Sequence, residues 1–279
     1  MTPLEFMLAA FALSVGAGVF GAVLGLGGGV VVVPALTLLL HVDIRFAIGA
    51  SIVSVIATSS GAGAAYIKER LTNIRVSMLL ETATVSGAIA GAFLAGIVQT
   101  RWLYLVFGLT LEFSAFQMWR RPRPSGGTAV HRPDSWARRL ALGGSYFDSV
   151  QGHEVSYNPR RTKTGLLVSG LAGVISGLLG VGGGIIKVPA MNLVMGLPLK
   201  VASATSNFMI GVTAAASAGV YFYRGDINPV IAAPVALGVV TGAVVGTFIL
   251  RKIHGRVLRI AFTTVLVFVA IEMLWKGLR

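Results

Sequence analysis

The chain has 279 residues, 55% of them hydrophobic and only 12% charged, with 36 glycines and no cysteine. The lack of cysteine excludes a disulfide framework, a thiolate metal site and a cysteine nucleophile. The formal net charge of +13 sits in one central polar stretch and in short loops between apolar runs, which points to cytoplasmic loops of a membrane protein and not to a nucleic-acid surface.

In chain order, the first apolar segment covers 4–24. Glu5 stands at its start and no basic residue precedes it, which is poor signal-peptide chemistry, so the segment is expected to stay as a span. The second, 29–40, is only about 12 residues and begins directly after the glycines of "GLGGGVVVVPAL". It is short for a span and reads as a half-helix or a steeply irregular crossing. Segments 45–67, 76–98 and 102–119 follow, and 76–98 contains a single glutamate. It exceeds the roughly 20 residues that cross a bilayer.

The stretch 121–164 interrupts this pattern. "RPRPSGGTAVHRPDSWARR" is rich in proline, glycine and arginine and is expected to be irregular. "SYFDSVQGHEVSYNP" alternates around Gln151-Gly152 and predicts a small hairpin. The stretch suits a regulatory segment, a flap over the cytoplasmic face, or a basic attractor of anions. Five more apolar segments then run over 165–180, 184–196, 200–222, 229–250 and 257–275. The fold class is therefore an all-α polytopic membrane protein. One transporter domain holds repeat 1 (4–120), the basic loop (121–164) and repeat 2 (165–276). The many glycines fit close packing of transmembrane helices.

The repeat is visible as letters. "GLGGGVVVVPAL" at 25–36 lies over "GVGGGIIKVPAM" at 180–191, an offset of 155 that continues without a gap. Ser51 falls on Ser206, Tyr66 on Tyr221, Asn73 on Asn228, Gly87 on Gly242, Gly91 on Gly246 and Arg101 on Arg256. A glycine triplet plus Val-Pro-Ala in fixed register is the signature of an internal duplication.

Charge sets the relative orientation of the halves. Lys68, Arg70 and Arg75 follow the third segment of the first half, whereas only Arg224, with Asp226, follows its counterpart. After the fourth segment the bias is swapped: Arg101 in the first half against Arg251, Lys252, Arg256 and Arg259 in the second. Positive-inside reasoning then predicts two inverted repeats of five segments each, with the central loop cytoplasmic and both termini outside. If the short segments are re-entrant instead, each half crosses four times and the repeats are parallel, which leaves four basic residues outside.

Inverted repeats with broken helices are an architecture of secondary transporters, whose substrate sits near the midplane. A helix that starts inside the membrane offers unpaired N–H groups and the positive end of its dipole to an anion. Candidate binding residues are therefore Gly27, Gly28, Gly29, Gly182, Gly183 and Gly184 for backbone approach, and Lys187 for charge. Ser51, Thr205, Ser206 and Asn207 are the side-chain candidates on the third segments. Each has a plainer reading: glycines that only pack helices, a lysine that snorkels, hydroxyls that bond the preceding turn. Glu81, Glu112 and Glu272 lie in or near apolar runs, and any of them suits a coupling proton. His41 and His254 lie in loops. No paired-histidine metal motif and no Walker-type phosphate loop is present, so neither a cofactor nor an enzyme is expected.

The twin "GxGGGxxxVPA" stretches, "LKVASATSNFMIGVTAAASAGVYFYRGDINP" and the central "GGSYFDSVQGHEVSYNPRR" together resemble the TauE/SafE family of sulfite and organosulfonate permeases. The resemblance covers nearly the whole chain. It implies a multi-pass carrier of the prokaryotic inner membrane for sulfite, sulfoacetate or a related sulfur-containing anion, with export the commoner assignment. Partners are then that anion and membrane lipid; the buried acids leave proton coupling open, and a homo-oligomer stays open as well. The alternative function is an uptake permease or channel for another small anion such as a carboxylate.

Overall fold

In lipid a backbone has no water to bond, so long apolar segments satisfy their own N–H and C=O groups by becoming helices. The computed structural model describes residues 2–24, 28–68, 71–119, 134–148, 153–250 and 255–278. In the first half the helices are α1 (Pro3–Leu24), α2 (Gly29–Leu39), α3 (Ile44–Lys68), α4 (Ile74–Ile97) and α5 (Thr100–Trp119). A short α6 (Ser135–Arg139) and a hairpin of β1 (Gly144–Asp148) and β2 (His153–Tyr157) separate them from the second half. There α7 (Thr162–Leu179), α8 (Gly184–Pro189, continued by a π-helical turn over Ala190–Val194), α9 (Leu199–Tyr223), α10 (Pro229–Leu250) and α11 (Gly255–Leu278) follow. The expected positions Gly27, Arg70, Gln151, Gly152, Arg251, Lys252 and His254 and the stretch 120–133 lie outside the described residues.

The duplication appears in the elements. The short helices span 29–39 and 184–194, and the third helices 44–68 and 199–223, so both ends of each pair stand 155 residues apart. Packing crosses between the halves: α1 lies along α10, and α7 along α4. Glycine makes these contacts possible. A side chain on Gly173 would strike the Thr84 carbonyl, one on Gly177 the Ala88 carbonyl, and one on Gly87 the Gly170 carbonyl. At the other interface Gly18 meets the Val239 carbonyl and Gly242 that of Val15. Gly18–Val239 is Gly173–Thr84 carried over to the other half.

The registers of α4 and α7 rise together, as do those of α1 and α10, so each pair runs parallel. The equivalent helices α3 and α9 run antiparallel: Gly49, early in α3, lies against Asp226 just past α9, and Ser59 faces Gly211. Equivalent helices α5 and α11 are antiparallel as well, since Gly108 meets Ala270 and Leu274 while Gly277 meets Arg101 and Leu105.

The outside is apolar and the inside is partly polar. Met78, Phe93, Leu109, Phe113, Leu171 and Phe268 are exposed, whereas Ser51, Ser54, Thr84, Thr205, Ser206, Thr213 and Ser217 are buried. That is the reverse of a water-soluble protein and suits lipid as the solvent. By length and composition, α4 and α7 are each able to cross a membrane; the described apolar parts of α1, α3 and α10 are shorter.

The hairpin pairs antiparallel from Gly144↔Tyr157 to Asp148↔His153. The last part of the arginine-rich stretch, expected to be irregular, is helix α6. Asp134 explains it: one carboxylate oxygen accepts from the Ala137 N–H at 2.6 Å and caps the helix, and the other accepts from the Thr162 N–H at 2.6 Å. One aspartate thus ties α6 to the start of α7. Ala137, Leu142, Tyr146, Val155 and Tyr157 pack with Val76, Leu80, Met191 and Met195, so α6 and the hairpin cap one end of the bundle.

Candidate functional site

The two glycine stretches converge on the α3/α9 pair. Val55 of α3 touches both Gly29 and Gly182, and Ile210, its repeat counterpart on α9, touches Gly182 and Gly184. Ser51 lies against Gly29, and Ser206 lies against Gly184 in the same manner. The Ser51 hydroxyl donates to the Gly180 carbonyl at 2.8 Å, which fastens α3 to the C-terminus of α7. The Ser206 hydroxyl has no partner among the described residues. Gly28, Gly29, Ser51, Gly182, Gly183, Gly184 and Ser206 are all buried.

The twin stretches differ in backbone. Gly180, Gly182 and Gly183 have φ of +67°, +74° and +70°, a region that side chains disfavour. Gly28 starts α2 at φ −58° and ψ −15°. Each nonetheless opens a helix: the Gly28 carbonyl accepts from Val31 and Val32, and the Gly183 carbonyl from Ile186 and Lys187. The α-helix runs on past Pro34 in α2. Past Pro189, the equivalent proline, it widens into the π-helical turn. The end of that turn returns to the start of α7, where the Met195 carbonyl accepts from Arg160. The second short helix therefore runs from beside Ile210 back to the capped end of the bundle.

Lys187 is fully buried. Its Nζ donates to the Thr213 hydroxyl at 2.6 Å. The same hydroxyl lies 2.7 Å from Glu81 Oε1 and 2.8 Å from the Met209 carbonyl. Two residues singled out separately in the sequence, Lys187 and Glu81, are thus joined through one that was not. Thr213 had a signal: Ser206, Thr213 and Ser217 recur on α9 at helical spacing and share its buried face. Glu112 is exposed and Glu272 half-buried.

The remaining candidates are more local. The Thr205 hydroxyl accepts from the Asn73 N–H at 3.0 Å, where α4 begins. Asn73 also donates through Nδ2 to the Leu142 carbonyl at 2.9 Å and the Tyr157 hydroxyl at 3.0 Å, and so seats the hairpin on the bundle. Asn207 Nδ2 donates to the Ser203 carbonyl at 3.2 Å. A separate groove of about 530 Å³ is lined by Val98, Gln99, Trp102, Leu103, Val106 and Leu178; it is apolar and holds none of these candidates.

The family described as sulfite exporter TauE/SafE matches this chain over residues 10–273. The probable membrane transporter protein YunE of Bacillus subtilis (strain 168) is 26% identical, over 94% of this chain and 95% of its own. The probable membrane transporter protein MJ0441 of Methanocaldococcus jannaschii is 24% identical, over 92% of this chain and 91% of its own. MamO of Paramagnetospirillum magneticum, also described as a probable membrane transporter protein, is 31% identical over 37% of this chain and 17% of its own. No solved structure matches the chain. The chain belongs to the TauE/SafE family, a family of membrane transporters, and is a multi-pass membrane protein.

Proposed function

We propose that this member of the TauE/SafE family is a secondary transporter that exports a small sulfur-containing anion, sulfite or an organosulfonate such as sulfoacetate, across the bacterial inner membrane by alternating access. The observation that carries the reading is the meeting of both glycine breaks at Val55, Ile210 and the serine pair. Helices that begin inside the bundle direct unpaired N–H groups and positive dipole ends at one place. A pyramidal or tetrahedral oxyanion accepts several donors at once and suits two such starts.

Gly28, Gly29 and Gly182 to Gly184 let the anion approach the backbone. Ser206 and Asn207 give side-chain donors. Thr205 accepts from Asn73 and keeps its own hydrogen to donate, and Ser51 joins when its bond to Gly180 opens. Lys187 supplies the positive charge at the second stretch. The sulfur in the anion rests on the family description and not on the donor geometry, which suits a carboxylate equally. Electrostatics of this kind needs no cofactor.

Antiparallel pairing of equivalent helices supports an inverted arrangement of the halves, because a two-fold axis in the membrane plane reverses every helix it copies. Arg75, Arg138, Arg139 and Lys163 lie at the capped end, which favours placing that end in the cytoplasm. Proteoliposomes test the whole reading. Efflux of sulfite or sulfoacetate should saturate, need no nucleotide and show counterflow. Saturable flux of a carboxylate or a cation, with none of any sulfur-containing anion, sinks it.

A further inference from the structure

We propose that Glu81 carries a proton in the transport cycle, and that Thr213 passes its protonation state to Lys187, so that the lysine charge is released to the anion only when Glu81 is neutral. This rests on the anion-transport reading above and names a second transported species, the proton.

The hydroxyl of Thr213 has three polar neighbours and one hydrogen. Lys187 Nζ can only donate to it, and the Met209 carbonyl can only accept. Glu81 Oε1 accepts when ionised and donates when protonated. With Glu81 ionised, Lys187 donates to Thr213 and Thr213 donates to Glu81. With Glu81 protonated, the acid O–H donates to Thr213, which turns its hydrogen to Met209, 2.8 Å away. Both states leave this oxygen fully bonded without moving a heavy atom. The step balances as one proton from water added to one carboxylate; Lys187 keeps its three N–H bonds throughout.

Glu81 is built for such a change. It is 9% exposed, and its Oε2 has no partner among the described residues. Thr84 stands beside the carboxylate, but its hydroxyl donates to the Glu81 main-chain carbonyl at 3.2 Å. Ser77, one turn nearer the capped end, is also buried without a described partner.

Other charges are remote. On α4 itself Arg75 bonds the Ala141 carbonyl. On α7, Lys163 stacks over Trp136. On α9, Lys200 stands at the start of the helix and Tyr221 bonds the Gly177 carbonyl. In the cap, Tyr157 bonds Asn73. Among the described residues Lys187 is thus the charge facing Glu81.

Charge compensation then couples the two species. The empty site holds a carboxylate and an ammonium. The site with a monovalent anion and a proton holds that anion and the same ammonium. Anion alone or proton alone leaves an uncompensated charge in the low-dielectric interior, which is costly. Lys187 is near enough to serve both, since its Cε lies 3.4 Å from where a Gly183 side chain would begin. Anion and proton move in the same direction, each tightening the other. Export then runs down the anion gradient and is opposed by acid outside.

The test uses the purified full chain and two variants. Infrared difference spectra taken as the pH is lowered should show a protonated-carboxyl band that Glu81→Gln loses. Lys187→Met should keep that carboxyl protonated at every pH, because the carboxylate has lost its counter-charge. An unchanged band in Glu81→Gln, or an unmoved titration in Lys187→Met, overturns the proposal. If either single variant misfolds, Glu81→Gln with Lys187→Met removes both charges, and survival of the band in that protein overturns it equally. In proteoliposomes with sulfite and methanesulfonate, Glu81→Gln should keep exchange and lose acceleration of efflux by an acid interior. Retained acceleration overturns the proton role and leaves the transport reading standing. A wild type that moves no sulfur-containing anion yet shows the band ends the transport reading instead.

Discussion

Ser51 and Ser206 hold the same place in the two halves and make different bonds. Ser51 lies against Gly29 and donates to the Gly180 carbonyl at 2.8 Å; Ser206 lies against Gly184 and has no partner among the described residues. The first is engaged in holding α3 to α7, and the second has a hydroxyl to offer.

The two serines should therefore respond differently to alanine. Ser51→Ala leaves a buried carbonyl without that donor, which costs about 1–3 kcal/mol, and should lower the thermal midpoint in detergent. Ser206→Ala should leave the midpoint in place and weaken sulfite binding. The opposite pattern would exchange their roles.

Glycines within the helices should divide by what surrounds them. At Gly173 and Gly242 an added Cβ strikes the backbone carbonyls of Thr84 and Val15. Backbone cannot swing aside as a side chain does, so alanine at either should destabilise by at least about 1–3 kcal/mol. Nothing lies within 4 Å of an added Cβ at Gly16 or Gly219. Alanine there should be neutral or stabilise by up to about 1 kcal/mol through helix propensity. Thermal unfolding of the four single variants decides between packing and propensity.

The sequence displayed the helices and the doubling because both are local. The short segments stop where glycine and proline stop them, and 29–40 and 184–196 become helices over 29–39 and 184–194. Pairing was not visible: nothing in the letters near Gly173 names Thr84, because a glycine shows that something approaches and not what. Asp134 caps α6 locally through Ala137, but its tie to α7 reaches Thr162, 28 residues away. Lys187 and Glu81 each stood out as charges in apolar runs, yet their junction needs α4, α8 and α9 packed together. The unequal backbones of Gly28 and Gly183 were hidden behind identical letters.

Asp134 gives a pH dependence outside the membrane. Partial burial pushes its carboxyl up, but the N–H groups of Ala137 and Thr162 and the Thr162 hydroxyl outweigh it and hold it below the ordinary aspartate value. A carboxyl lowered in the folded state stabilises that state above its unfolded value, and the contribution is lost as pH falls through the folded one. Hydrogen exchange across 134–139 should stay slow at neutral pH and quicken on acidification. Asp134→Asn should remove that acid sensitivity; if the sensitivity persists, another group holds α6.

The inverted arrangement proposed for the halves can be tested at two loop ends that the bundle brings together. Arg224, at the end of α9, donates to the Ala92 carbonyl at 2.6 Å near the end of α4. Arg45, at the start of α3, donates to the Val98 carbonyl at 3.3 Å. The loop after the fourth helix of the first half and the loop after the third helix of the second half therefore lie at one end of the bundle, away from the hairpin. Parallel repeats would place those two loops on opposite sides of the membrane. The chain has no cysteine, so single introduced cysteines report without interference. Gln99→Cys and Gly225→Cys, both at exposed positions, should react with an impermeant maleimide added outside intact cells. Ser156→Cys, exposed on β2, should react only after the membrane is opened. Labelling of Gln99→Cys and Gly225→Cys from opposite sides would falsify the inverted arrangement, and labelling of Ser156→Cys from outside would place the basic cap, against the positive-inside bias, on the outer face.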